Sequence, residues 1–150
     1  MKIAVLLLLF TGLIGCSPNG SSGPPSANET SASRPQIKER VKFIEQYVTF
    51  RRAYDELEYD MFYQNNGGGM VPGPSDWDIK IRAIVPENSL NDWIPPDAQP
   101  LQKPASNWLA TMPGNITVDG VTEWYETAST EVGVDRANSV VAYRNTTNPD

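Results

Sequence analysis

The stretch from Trp77 to Val85 constrains the fold most, because only one periodicity fits it. Trp77, Ile79, Ile81, Ala83 and Val85 alternate with Asp78, Lys80 and Arg82. A period of two marks a β-strand with one buried face and one polar face. Pro86, which has no amide to give a ladder, closes it. A second strand is expected over residues 139–144 (Ser-Val-Val-Ala-Tyr-Arg). Residues 115–126 read as strand in two ways. Asp119-Gly120 is a type I′ hairpin signal, whereas Ile116, Val118, Thr122 and Trp124 share one face if the strand runs straight through Gly120. The continuous strand is preferred.

The layer over this sheet is expected from residues 36–63. Ile37, Val41, Ile44 and Val48 form one apolar line at helical spacing, and Phe43, Tyr47, Phe50, Tyr54, Leu57 and Met61 form a second. Pro35 precedes the run and Gly67-Gly68-Gly69 follows it, which are start and stop signals for a helix. The two lines lie on different sides, so the helix is either widely buried or bent near Tyr47 to Phe50. Its charges oppose the macrodipole, with Lys38, Arg40 and Lys42 early and Asp55, Glu56, Glu58 and Asp60 late. Those early cations suggest either a solvated face, which is the preferred reading, or a contact with anionic lipid headgroups. Residues 86–114 hold six prolines and are expected to contain two short helical turns, beginning at Pro86 and Pro104. The fold class that follows is α+β: a long N-terminal helix packed on a small antiparallel sheet of three or four strands. The single domain spans 36–145, with a frayed tail at 146–150.

Composition removes most chemistry. The chain has 150 residues, no histidine, one cysteine (Cys16) and a net charge of −6. Ser-His-Asp and Cys-His catalysis and ordinary zinc, copper or haem sites have no ligands or bases here, so no cofactor is expected. The acidic balance argues against nucleic acid, which needs a basic footprint. The charge is uneven, with six basic and two acidic residues between Arg34 and Arg52, then five basic and eleven acidic from Gly73 onward. Carboxylate pairs such as Glu123 with Glu126, Asp76 with Asp78, or Glu87 with Asp92 are the remaining acid–base candidates. Trp77 and Trp124 sit in strand patterns and are expected in the core. Trp93 and Trp108 sit in the proline-rich connection, where they either cover the core edge or stand exposed to stack on a sugar or anchor a partner.

The N-terminus carries the one recognisable address. Lys2 precedes the apolar run Ile3 to Phe10, which is too short to span a bilayer at roughly 18 or more residues. It leads to Leu13-Ile14-Gly15-Cys16. This arrangement resembles the signal peptide and lipobox of bacterial lipoproteins. The resemblance covers residues 1–16 and implies cleavage after residue 15, a triacylated Cys16 and export to the cell envelope. Ser17 in place of Asp implies outer-membrane sorting in a Gram-negative host. Residues 16–35 are rich in Ser, Gly, Pro and Asn, a composition expected to stay disordered as a tether. The expected function is therefore a membrane-anchored, non-enzymatic envelope lipoprotein that binds another envelope protein or serves a structural role. A glycan- or peptidoglycan-binding module using Trp93 and Trp108 comes second, and a carboxylate hydrolase third.

Overall fold

The computed structural model describes residues 23–67, 73–102 and 107–148. The lipobox, Cys16, the first part of the tether and residues 149–150 lie outside these. The chain runs β1 (Ala27–Thr30), a 3-10 turn (Ser31–Ser33), α1 (Ile37–Ile44), β2 (Glu56–Gln64), β3 (Asp76–Ile84), a 3-10 helix (Glu87–Trp93), β4 (Gln99–Leu101), α2 (Trp108–Thr111), β5 (Glu123–Glu126), β6 (Thr130–Asp135) and β7 (Val140–Thr146). The strands form one seven-stranded sheet in the order β1-β2-β3-β7-β6-β5-β4, with every neighbouring pair antiparallel. The architecture is mainly β.

This corrects the expected α+β fold with its long N-terminal helix. Helix stops at Ile44, where Gln46 and Tyr47 donate to the carbonyls of Phe43 and Ile44 in tight i→i+3 bonds. The β-branched pair Val48-Thr49 follows, and the chain then reverses into β2. Leu57, Tyr59 and Met61 fit a period of two as well as the helical line did, and all three are fully buried on one face of β2. The aromatic content of the segment favours strand, and pairing along the whole of β3 decides it, from Glu56 opposite Ile84 to Gln64 opposite Asp76. The opposed macrodipole also disappears. In the short helix Glu39 lies in the first turn and Lys42 in the last, both favourable, while the late acids belong to a strand.

Two further expectations change. The tether does not extend to residue 35, because Ala27–Thr30 pair with Asp60–Tyr63 as an edge strand. Residues 115–122 are not strand: a turn closes from the Val121 amide to the Val118 carbonyl, and β5 begins only at Glu123. Glu58 explains why. Its buried carboxylate accepts from the Asn115 and Ile116 amides at 2.6 and 3.0 Å, which holds this loop against the sheet. Gly114, at φ 142°, lies so close to that carboxylate that a Cβ would collide with it.

The sheet is dressed on both faces. On one, Phe43, Ile44 and Val48 pack with Tyr59, Ile81, Val132, Val141 and the 3-10 residues Leu90 and Trp93. On the other, Trp108 and Met112 cover Trp124 and Ala142. Gly133 stands opposite Trp124 in the ladder, and any Cβ there would press to 2.8 Å from the indole. Further along this second face runs a charged strip: Lys80 bridges Asp60 and Asp78 at 3.3 Å, and Arg144 holds Asp78 at 2.9 Å. The strands expected at 77–85 and 139–144 and the two short helical turns are present, shifted by one to four residues.

Candidate functional site

The basic run between Arg34 and Arg52 is divided by the fold. Arg34 and Arg40 turn to structural partners. Arg40 donates to the carbonyls of Arg34 and Leu57 at 2.7 and 2.9 Å. Arg34 pairs with Glu29 at 2.8 Å and lies 4.1 Å over the Phe43 ring. The remaining cations gather elsewhere. Lys38 and Lys42, one turn apart on α1, share a cleft of about 600 Å³ with Arg51 and Arg52. Its floor is apolar, made by Ile37, Val41 and the Tyr54 ring, and Glu45 is the one carboxylate in the lining.

Geometry sets what each of these groups has to offer. Arg51 lies 3.5 Å from Glu45. Arg52 is clamped, donating to the Asp92 carbonyl at 2.5 Å and sitting 5.1 Å from the Phe50 ring. Among the described residues Lys38 and Lys42 enter no ion pair, and both are exposed. The Tyr54 hydroxyl and the Arg52 Nε are buried without a hydrogen-bond partner. Burial, with the nearby Glu45 charge adding to it, pushes the Tyr54 phenol well above its ordinary value, so the hydroxyl remains a neutral donor. The cleft thus carries four cations around an apolar floor. That donor set holds carboxylate or phosphate oxygens while the floor takes an apolar neighbour. Among the described residues that line it, no nucleophile is paired with a base.

Reading 36–63 as one helix hides this site. On a continuous helix Arg51 would stand about 20 Å along the axis from Lys38. Because the helix ends at Ile44 and the chain turns back, the two face one cleft. The charge asymmetry of the sequence was the only signal for it, and Arg40, grouped in that reading with Lys38 and Lys42, is half-buried and turned to backbone carbonyls instead.

Trp93 and Trp108 do not present their rings. They are 3% and 4% exposed. Trp93 packs edge-on against Phe50, Tyr54 and Tyr143 at 5.3 to 5.9 Å, and Trp108 donates through its Nε1 to Glu131 at 2.6 Å while meeting Trp124 edge-on. Both cover the edges of the core. Trp124 is buried as expected, but Trp77 is only half-buried. Cys16 lies outside the described residues. Of the carboxylate pairs, Glu87 and Asp92 are both exposed, and the other two are separated or engaged. Glu123 is held by Arg136 at 2.8 Å while Glu126 takes the opposite strand face, and Asp78 is taken by Arg144 and Lys80. The Arg136 guanidinium beside Glu123 lowers that carboxyl below its usual range. Among the described residues no group of three or more His, Cys, Asp or Glu is placed to hold a metal, and no helix is long and apolar enough to cross a membrane. No protein-family model, curated protein or solved structure matches the chain.

Proposed function

We propose that this chain is a lipid-anchored envelope module that works by binding, its basic cleft receiving an acidic, partly apolar segment of another envelope protein. The observation that carries the reading is charge segregation. In a chain of net charge −6, four cations and one carboxylate surround an apolar floor, and among the described residues the two lysines enter no ion pair. Such a surface steers an acidic partner to one place and leaves the rest of the domain to repel it.

The anchor supplies the location. The lipobox resemblance puts lipid on Cys16, and the described chain begins at Gly23, so at most about 25 Å of chain separates them. From Pro24 onward the tether is fastened to the domain: Asn65 Nδ2 donates to the Pro24 carbonyl at 2.7 Å and the Tyr47 hydroxyl to that of Pro25 at 3.1 Å. A domain on so short a leash meets partners at the membrane surface. Cys16→Ala is expected to accumulate as a larger, unlipidated precursor, and normal processing of that variant would remove the anchor. The cleft is tested by placing a photo-crosslinking amino acid at Glu45 in cells. An adduct with an envelope protein, mapped by mass spectrometry to an acidic segment, is the expected product. Adducts confined to lipid, or none, would overturn the protein-binding reading.

A further inference from the structure

A second cavity lies past the C-terminal end of α1 and has the opposite character. It encloses about 390 Å³, within the roughly 300–1,000 Å³ of small-ligand sites. Four aromatic rings line it: Tyr47, Tyr63, Trp77 and Tyr143. Among the described residues none in its lining carries a charge at neutral pH, in a chain where one residue in five is Asp, Glu, Lys or Arg. Burial raises the Tyr47 phenol and pushes Tyr143 to about 12, so these hydroxyls stay protonated.

The walls are preset. Trp77 donates through its indole nitrogen to Asn145 Oδ1 at 2.5 Å, and the Asn145 amide is itself tied to Thr130 Oγ1 at 2.7 Å and to the Ser129 carbonyl at 3.2 Å. The indole plane is thereby fixed while the residue stays half-exposed. Tyr47 and Tyr63 meet edge-on at 5.2 Å. Pro24 forms part of the wall, its carbonyl and that of Pro25 fastened by Asn65 and Tyr47. This fixes that wall, and the limited volume suits a compact ring better than an extended peptide. Exposed Thr49 and Gln46 supply a hydroxyl and an amide at the rim.

We infer that this pocket binds a neutral saccharide, one or two pyranose rings whose apolar faces stack on Trp77 and the tyrosines while their hydroxyl edges meet Thr49 and Gln46. Fixed aromatic planes with a few hydroxyl and amide groups match such a ring, and the uncharged lining excludes a preference for acidic or basic ligands. The inference is independent of the basic cleft, although Gln46 borders both.

Trp77 makes the test direct, because Trp93, Trp108 and Trp124 are all buried. The full-length lipidated chain in nanodiscs is titrated with neutral N-acetylglucosamine oligomers and with gluco-oligosaccharides, following acrylamide quenching of fluorescence and binding heat. Saturable protection from quenching by either series is expected. Thr49→Ala with Gln46→Ala, both at exposed positions, should keep the fold and weaken binding several-fold, and Tyr63→Ala should weaken it roughly tenfold through the lost stacking. Trp77→Phe should retain the binding heat while losing the fluorescence signal. Lys38→Glu with Lys42→Glu should leave saccharide binding unchanged, so failure here and failure of the basic cleft are separable. No saturable response to either series, or protection by a proline-rich peptide alone, would overturn the inference.

Discussion

Arg34 and Arg40 on one side of α1, and Lys38 and Lys42 on the other, come from the same basic run and have opposite fates. The arginines are consumed by the fold. Arg40 closes the helix start against β2 through two backbone carbonyls, and Arg34 ties β1 to Phe43 by way of Glu29. The lysines, each two residues from Arg40, make no ion pair among the described residues and line a cleft. Planar guanidinium groups with several directed N–H donors suit fixed carbonyl partners, whereas flexible ammonium groups suit an outward surface. A count of charges therefore does not locate a binding face; the direction each side chain takes does.

The contrast can be broken by substitution, and the arginines should give the larger effects on stability. Arg40→Ala leaves the Arg34 and Leu57 carbonyls without their charged donor and should cost about 2 kcal/mol, read as a lowered midpoint in chemical denaturation. Arg34→Ala removes a partly exposed ion pair and a cation–π contact and should cost about 1 kcal/mol. Equal costs for Arg40→Ala and Lys38→Ala would erase the distinction.

Titration sharpens the same comparison. Tyr59 is pushed to about 12, first by burial and then by its hydrogen bond to Glu29, the carboxylate that Arg34 also holds. Tyr143 reaches about 12 through burial. Phenols with raised folded-state values hold their proton better in the fold than in the open chain. Their contribution is therefore complete below the ordinary tyrosine value near 10 and is lost as pH rises from there toward 12. A pH series of unfolding midpoints should fall across that window, and a flat profile would contradict the buried placement of both rings. Glu29 bears on the acid side. Burial opposes its ionisation, but hydrogen bonds from Ser33 and Tyr59 together with Arg34 outweigh it and leave its value lowered. Its contribution is present above the usual carboxylate range and is lost as pH falls through the lowered value.

The smallest stability effect belongs to the cleft. Lys38→Glu with Lys42→Glu alters exposed side chains that enter no ion pair among the described residues and should stay within about 0.5 kcal/mol per site, while the electrostatic character of the cleft changes entirely.

The parts of this fold legible in the sequence are those whose period admits one reading. β3 and β7 showed a clean alternation or a β-branched run. Proline marked the turn at Glu87–Trp93 because its ring suits a first helical turn. β2 was illegible because Leu57 and Met61 lie at a helical interval and are also even-numbered steps apart along a strand, and only the tertiary partner β3 distinguishes the two. β1, with the sequence Ala-Asn-Glu-Thr, carries no apolar pattern; it is an edge strand held by ladder bonds and by the anchoring of Pro24 and Pro25. β6 hid behind Gly133, a residue that weakens a strand signal and is required there by the Trp124 ring. Both clefts depend on the chain reversal after Ile44: the uncharged one gathers residues from Pro24 to Asn145 and was hidden, whereas the basic one is built within Ile37 to Tyr54 and was visible as a charge asymmetry.

The most direct test compares photo-crosslinking yields from residue 45 in cells for the otherwise unaltered chain and for the same chain carrying Lys38→Glu and Lys42→Glu. Binding through the basic cleft predicts an adduct with one envelope protein that falls at least tenfold in the charge-reversed chain while that chain folds and is anchored normally. An equal yield from both chains would contradict it.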